Sequence, residues 1–453
     1  MTAKTPCKDP RNRRRRLKST VAAIAIAAQL VWQVGPAFAF CGFYVAQADA
    51  KLFNRSSKVV LARDGNKTAI TMASDYEGEP REFAVVIPVP TFIERKQIGV
   101  VEMKTIDHID AYTAPRLVEY FDPDPCMTME PRVAMSAARP ALMTAPTRPV
   151  DRGAIHGVTI EASYDVGEYD VQILSAQQSD GLAAWLTENG YRIPPGAGAV
   201  LASYIKQDMH FFVAKVNLGR MQLMGHAYLR PLQVRYESAK FMLPLRLGTV
   251  NANGPQDLLI YALGRNGRVE ATNYRTVKMQ TGMDVPLYVK DDFGKIYKAA
   301  FDQAVEDADM RAVFTEYAWD MGWCDPCAGA PMTNKELVEL GARWIGSDDN
   351  SPYYGYRGGA DVYVTRLHVR YDAAHFPEDL ALMETHDRDS FQVRYVLRHP
   401  WRGPATCFNA AAYRDQLQAR FKEEAKNLSY LTGGSVADIQ KRMAETGEPI
   451  RTR

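Results

Sequence analysis

The sequence predicts an α+β protein with a β-rich N-terminal and central region of antiparallel sheets and a more helical C-terminal region. Three observations support this class. The chain has 453 residues, more than one ordinary core requires. Short β-branched and aromatic runs separated by turn residues fill its first two thirds, which is typical of antiparallel sheets. Longer segments with helical periodicity occupy the last third.

Changes in composition divide the chain into five expected units. They are a signal peptide over 1–39, a β-rich N-terminal unit over 40–121, a Pro/Ala/Met-rich linker or loop over 122–154, a central α+β region over 155–289 that packs with the N-terminal unit, and a helix-rich C-terminal region with a CxxC motif over 290–453. Six prolines between Asp122 and Val150 predict that the linker contains no regular element.

The β-rich N-terminal unit contains a clear hairpin signal and an expected helical segment. Residues 57–63 and 67–73 are rich in Val, Ile, Leu and Thr, and Asp64-Gly65-Asn66 supplies the turn. Apolar residues at helical spacing over 105–121 predict two short helices, which we expect to be separated at Pro115.

The N-terminus has the three parts of a secretory signal peptide. A basic segment over 11–18 precedes an apolar run from Val21 to Val34, and Ala37-Phe38-Ala39 offers small residues where signal peptidase reads them. The apolar run is about 14 residues long, fewer than the roughly 20 that a membrane-spanning helix needs. We therefore expect cleavage after Ala39 and export, by either the general secretory or the twin-arginine route.

Removal of the signal peptide changes the charge of the protein. The whole chain carries +2 and residues 1–39 carry +7, from eight Lys or Arg against Asp9, so residues 40–453 carry −5. This charge favours neither nucleic acid nor an anionic membrane surface as a partner. No later apolar run is long enough to span a membrane, so we expect a soluble periplasmic or secreted protein without a cofactor, with another envelope protein as a candidate partner.

Export also decides how the cysteines are interpreted, because disulfides persist in an oxidising compartment. A bond between Cys41 and Cys126 would close a loop of about 85 residues around the first unit and constrain the unfolded chain by ~4–5 kcal/mol. We expect this pair, and it would leave Cys407 as the odd thiol. Cys324 and Cys327 are the remaining disulfide candidates.

The segment Trp323-Cys324-Asp325-Pro326-Cys327 is the motif closest to known chemistry. Two cysteines at this spacing can exchange disulfides with a partner, supply half of a metal site or form a structural bond. Exchange requires the first cysteine at a helix N-terminus, where the helix dipole lowers the thiol pKa. Gly329 and Pro331 interrupt such a helix, and we predict no hydrophobic strand immediately before Trp319.

A zinc site would need two more ligands, since one CxxC supplies only two of four. The candidate ligands are Cys407, His375, His386 and His399, and none of them forms a second paired motif. A structural disulfide that ties a Gly/Pro-rich loop needs no further group. We therefore expect no metal and rank Cys324 and Cys327 as structural cysteines first and as redox-active residues second.

Several motifs are spread over nearly the whole chain after the signal peptide. They are Phe40–Ala46, Ala48–Asn54, Asp75–Gly78, Phe83–Pro90, Tyr112–Tyr120, Asp124–Cys126, Trp323–Cys327 and Arg394–Trp401. Together they resemble a family of exported bacterial proteins known as domain of unknown function 2330. The resemblance implies an exported protein, and it brings no activity, ligand or catalytic residue with it.

The leading hypothesis is therefore a non-catalytic protein of the bacterial envelope that has a structural or interaction role and is stabilised by disulfides. The first alternative is a thiol-disulfide oxidoreductase that acts through Cys324 and Cys327. The second alternative is a metal-binding periplasmic protein.

Overall fold

The structure of the 453-residue chain is a computed structural model. It describes residues 43–46, 53–77, 83–127, 158–176, 179–189, 196–224, 229–250, 252, 254–323, 325–326, 328–345 and 361–448.

Nineteen strands and nine α-helices are formed by the described residues. The strands are β1 (Phe43–Ala46), β2 (Phe53–Asp64), β3 (Lys67–Glu77), β4 (Phe83–Val89), β5 (Ile98–Val100), β6 (Arg116–Phe121), β7 (Val158–Val166), β8 (Tyr169–Ala176), β9 (His210–Val216), β10 (Leu232–Glu237), β11 (Met242–Leu243), β12 (Gln256–Gly264), β13 (Val269–Ala271), β14 (Arg275–Lys278), β15 (Ala312–Asp320), β16 (Tyr363–Tyr371), β17 (Leu380–Glu384), β18 (Phe391–Gln392) and β19 (Arg394–His399). The helices are α1 (Met103–Thr113), α2 (Ser179–Glu188), α3 (Ala197–Ile205), α4 (Leu218–Leu223), α5 (Arg246–Val250), α6 (Phe293–Asp307), α7 (Asn334–Glu339), α8 (Ala410–Thr432) and α9 (Val436–Glu445).

The strands form two large sheets and two small ones. The larger sheet has the order β14-β15-β16-β12-β2-β3-β10-β5, with β18 also paired to β15. The second sheet has the order β1-β4-β9-β8-β7, and the small sheets are β11-β17-β13 and β19-β6. Most neighbours are antiparallel, but β2 with β12, β14 with β15, and β6 with β19 are parallel.

The two large sheets pack face to face, and helices cover their outer faces. Apolar side chains from both sheets, such as Val59, Ile87, Phe212 and Leu367, fill the space between them. Helices α2, α3 and α5 cover the five-stranded sheet, while α1, α6, α7, α8 and α9 cover the larger one. The architecture is therefore helix, sheet, sheet, helix, as expected when each element buries its apolar face.

The α+β class is confirmed, and so is the N-terminal hairpin. Strands β2 and β3 pair in register across a two-residue turn, with Asp64 opposite Lys67 and Gly65 at a φ of 57°. The larger sheet joins strands that are distant from one another in the chain. For example, β16 lies between β15 and β12, and β12 pairs with β2. The boundaries that we expect between units remain a prediction. No helix in the described ranges is both long and apolar enough to cross a membrane.

Two expectations about local structure are wrong. Residues 105–121 do not form two helices: α1 ends at Thr113, and β6 begins at Arg116 directly after Pro115. Proline ends the helix, and the residues after it pair in parallel with β19, which lies far away in sequence. A buried strand, β15, ends at Asp320, although no strand is predicted before the CxxC motif.

A row of charged side chains crosses the helix-covered face of the larger sheet. Arg366, His368 and Arg370 alternate along β16 with Leu367 and Val369, which point into the space between the sheets. The charged row separates two apolar clusters, one under α1 and α7 and the other under α6, α8 and α9. Each charged side chain meets a carboxylate from a neighbouring element.

Glu316 lies at the centre of this charged row. The pairing of β15 with β16 shifts register between Thr315 and Tyr317, so Glu316 is the extra residue of a β-bulge. Its fully buried carboxylate accepts hydrogen bonds from Arg366 Nε at 2.6 Å, from His368 Nδ1 at 2.7 Å and from the Tyr297 hydroxyl. Burial alone would raise the pKa of Glu316, but these charges and hydrogen bonds outweigh it and lower the pKa to about 2.

The Arg366 side chain extends the network to helix α1. Its Nη1 donates to the backbone oxygen of Asp110 at 2.9 Å and to Asp110 Oδ1 at 2.7 Å. Asp110 Oδ1 also accepts from the Tyr261 hydroxyl at 2.7 Å, and its Oδ2 lies 2.7 Å from Lys58 Nζ. One connected set of ionic contacts therefore links α1, α6 and four strands of the sheet.

Replacing Glu316 by Gln should lower the free energy of unfolding by ~3–5 kcal/mol near neutral pH, because the buried charge of Arg366 would lose one of the two carboxylates that it contacts and His368 would lose the carboxylate of Glu316. The folded-state pKa lies below the usual value, so the Glu316 contribution should be complete above about pH 4.5 and disappear as the pH falls towards 2. Urea unfolding at several pH values measures both effects. Glu306→Gln, on an exposed position of α6, is the matched control, and an equal loss in both variants would contradict this role.

Candidate functional site

Cys126 and Cys407 form a disulfide, with their Cα atoms 5.6 Å apart. The expected pairing of Cys126 with Cys41 is therefore wrong, and Cys407 is not the odd thiol. Because β6 and β19 are parallel, with Phe121 opposite His399, the segments that follow them leave the small sheet at the same end. Cys41, Cys324, Cys327 and the cleavage position after Ala39 lie outside the described residues.

Polar contacts surround this disulfide and fix the start of α8. The Asp122 carboxylate, just after β6, accepts from the Tyr413 hydroxyl at 2.6 Å and from Arg420 Nη1 at 2.9 Å. The Tyr413 hydroxyl in turn accepts from the backbone N–H of Trp401 at 2.8 Å. The covalent bond and these contacts tie the small sheet to α8 at one corner of the molecule.

The CxxC segment follows directly after strand β15. The backbone N–H of Trp323 donates to Asp320 O at 3.0 Å, which makes a tight turn just before Cys324, and that of Ala328 donates to Asp325 O at 3.2 Å. The next helix, α7, begins at Asn334 and is capped by a box in which Thr333 and Glu336 satisfy each other's backbone N–H. Among the described residues, the motif has the preceding strand but not the helix N-terminus that activates a thiol.

Asp325, between the two cysteines, fixes the motif to the core. Only 5% of it is exposed, whereas Trp323 is 63% exposed. The Asp325 carboxylate accepts from Gln392 Nε2 at 2.7 Å and from the Tyr317 hydroxyl at 3.2 Å. Burial, together with Tyr112 and Asp325, raises the pKa of Tyr317, so its hydroxyl stays protonated and remains a donor.

The bulge at Glu316 places the partners of Asp325. Strand β14 pairs with β15 as far as Thr315, and after the bulge β18 takes over, with Gln392 opposite Tyr317. The two residues that hold Asp325 are therefore neighbours on adjacent strands. A shift of one residue in β15 would turn Tyr317 to the other face of the sheet and remove this contact.

His108 holds the chain after the motif. Its Nδ1 lies 2.8 Å from Glu336 Oε1, and its Nε2 lies 2.9 Å from Ala330 O. Both partners are acceptors, so only the doubly protonated ring donates to both of them. Burial lowers the pKa of His108, but the bonds to Glu336 and Ala330 outweigh burial and raise it, which favours this protonated form.

The four candidate zinc ligands do not come together as a site. Cys407 is in a disulfide, His375 Nδ1 is 2.8 Å from Asp372, and His399 Nε2 is 2.8 Å from Glu119. His386 lies in the connection between β17 and β18. In the part of the chain that the structure describes, no group of three or more His, Cys, Asp or Glu side chains could hold a metal ion.

The sequence did not predict the roles of Glu316, Arg366 and Asp325. One signal was present, since Glu316 is a charged residue inside the largely apolar run from Ala312 to Trp319. A charge in such a run requires a buried partner. The sequence does not indicate which partner, because Arg366 is 50 residues from Glu316 and Gln392 is 67 residues from Asp325.

Replacing Asp325 by Ala should leave the Tyr317 hydroxyl and the Gln392 amide buried without this acceptor. We expect a loss of ~1–3 kcal/mol in the free energy of unfolding. Amide exchange should also accelerate in residues 321–333 before it does in β2 or β12. Asp415→Ala, on the exposed side of α8, is the control. Unchanged exchange over 321–333 in the Asp325 variant would show that this carboxylate does not hold the motif.

A family described as an uncharacterized protein conserved in bacteria (DUF2330) matches residues 35–383. The match spans 349 of the 453 residues and includes Cys41, Cys126 and the CxxC motif, while the segment Arg394–Trp401 lies beyond it. No curated protein and no solved structure matches the chain significantly. The chain therefore belongs to the bacterial family DUF2330.

Proposed function

We propose that the protein is exported and serves as a non-catalytic component of the bacterial envelope, with a structural or interaction role and a fold stabilised by disulfides. The signal-like segment over 1–39 supports export. The Cys126–Cys407 bond supports an oxidising location, because such bonds are rare in reducing compartments.

The Cys126–Cys407 disulfide is the observation that carries this proposal. It joins residues 281 positions apart, so it removes much of the freedom of the unfolded chain. In the chain-entropy model this contribution is on the order of 5 kcal/mol. A bond of this kind stabilises the whole fold.

A second, local disulfide between Cys324 and Cys327 would serve the same structural role. Asp325 is held inward by Tyr317 and Gln392, and His108 holds the following residues to α1. These contacts restrain the loop that carries the motif. A restrained loop favours one stable bond between Cys324 and Cys327 over repeated opening and closing.

The surface beside the long-range disulfide supports an interaction role in addition to a structural one. Phe121, Met127 and Phe408 are 72%, 73% and 100% exposed, and the last two directly follow the bonded cysteines. Exposed apolar groups that lie close together are typical of interaction surfaces. The disulfide would keep this surface in one arrangement.

Thiol-disulfide exchange through Cys324 and Cys327 is the second candidate function. The observation in its favour is β15, a buried strand that ends at Asp320, four residues before the motif. A reduction potential above roughly −300 mV for the Cys324/Cys327 couple, with catalysed reduction of insulin disulfides, would support this function over the structural one.

Replacing Cys126 and Cys407 together by Ser should lower the free energy of unfolding by ~2–5 kcal/mol in the oxidised protein. Without the bond, the unfolded chain regains conformational entropy, and the unfolded state becomes more favourable. Urea unfolding with and without dithiothreitol measures the effect, and dithiothreitol should destabilise the unmodified protein much more than the double variant.

The matched control is the variant with Cys324 and Cys327 both replaced by Ser. A short loop gains little from closure, so its loss of stability should be smaller than that of the Cys126/Cys407 variant. Equal stability of the unmodified protein and the Cys126/Cys407 variant would contradict the structural proposal. If the unmodified protein reduces insulin disulfides and the Cys324/Cys327 variant does not, thiol-disulfide exchange would be the better supported function.

A further inference from the structure

Two buried glutamates meet where the C-terminal helix packs against the rest of the molecule. Glu424 on α8 and Glu448 after α9 are each only 1% exposed. Neither carboxylate oxygen of Glu424 has a hydrogen-bond partner, and Oε1 of Glu448 has none. The backbone N–H of Leu287 donates to the other oxygen of Glu448, Oε2, at 3.0 Å.

The charges that face these carboxylates do not neutralise them. Arg420 Nε lies 3.5 Å from Glu424 Oε1, but Nη1 of the same guanidinium donates to both oxygens of Asp122. Asp284 adds another negative charge, and its own partner is Arg398. Arg420 and His399 lower the pKa of Glu448, but burial outweighs them. Asp122, Glu424 and Glu448 therefore share the charge of Arg420.

Protonation of the buried carboxylates removes their mutual repulsion. Burial and the charge of Glu448 raise the pKa of Glu424 to about 8, although Arg420 opposes the shift. Burial also raises the pKa of Glu448. Two acids in such a site release their protons as a coupled pair, because the second charge is repelled by the first. Near neutral pH the pair keeps at least one proton.

The segment 436–448 depends on this pair for its position. Ile439 and Met443 of α9 enter the cluster that contains Leu428 and Leu431 of α8. At the surface, Arg442 Nη2 lies 2.5 Å from Asp292 Oδ2 and covers the Tyr288 ring at 4.3 Å. These contacts involve a ten-residue helix and would have to outweigh two buried negative charges once both carboxyl groups ionise.

We infer that residues 436–448 form a proton-controlled latch, which is docked while the Glu424–Glu448 pair holds a proton and released when both carboxylates are charged. Release gives the proton to solvent and uncovers the apolar side of α8 around Leu428 and Leu431. The direction follows from linkage: a raised acid pKa contributes stability that is complete below about pH 4.5 and lost as the pH rises through about 8.

Limited trypsin digestion tests the latch, because Lys441 and Arg442 lie within α9 and are cut only when this helix opens. The cleavage rate at these residues, divided by that of a free peptide with the same sequence, reports the open fraction. It should rise about tenfold between about pH 6.5 and about pH 9 in the unmodified protein. In Glu424→Gln the rise should be smaller over the same range, because Glu448 is then the one carboxyl group of the pair that still titrates.

Two further variants make the test specific. Glu423→Gln removes a neighbouring glutamate that is exposed and paired with Lys426, and it should keep the full tenfold rise. Glu448→Gln removes the repulsion within the pair, and its rise should be smaller than that of the unmodified protein. The latch is refuted if normalised cleavage of the unmodified protein does not change with pH, or if Glu424→Gln and Glu448→Gln both reproduce its rise.

Discussion

The buried carboxylate of Glu316 is the contact on which the arrangement of the larger sheet depends. It sits at a bulge in β15 and meets Arg366, His368 and Tyr297, which come from β16 and α6. Arg366 carries the contact on to Asp110 in α1. The buried charges compensate one another only in this register, so the network fixes where two separate helical clusters rest on one sheet.

The same strand connects the charged network to the CxxC motif. Glu316 and Tyr317 are adjacent, and the bulge between β14 and β18 brings Gln392 opposite Tyr317. Those two side chains hold Asp325, and the backbone N–H of Val393 donates to Glu316 O at 2.9 Å. The position of Asp325 is therefore a consequence of the core of the sheet.

Local patterns predicted the parts of this fold that local chemistry controls. The β2–β3 hairpin follows from its turn residues and from the Val-, Ile-, Leu- and Thr-rich runs on either side, which act over a few positions. Residues 116–121 were expected to be helical because Leu117, Val118 and Phe121 also fit that spacing. Their strand depends on β19, and a partner that far along the chain leaves no local signal.

The functional features also divide into those that neighbouring residues indicate and those that depend on residues far along the chain. The CxxC motif could be recognised from its spacing, but the inward role of Asp325 depends on Gln392, 67 residues away. The pairing of Cys126 was predicted wrongly because Cys41 and Cys126 flank the first β-rich unit in the sequence. The parallel contact of β6 with β19, which brings Cys407 close, appears only in three dimensions.

Disulfide mapping of the protein purified from the periplasm without reductant tests the central claim most directly. After blocking of free thiols and proteolysis, mass spectrometry should recover a linked peptide pair that contains Cys126 and Cys407. This result would agree with an exported protein whose fold is locked by a long-range bond. A blocked, reduced Cys126 or a link from Cys126 to Cys41 would contradict it.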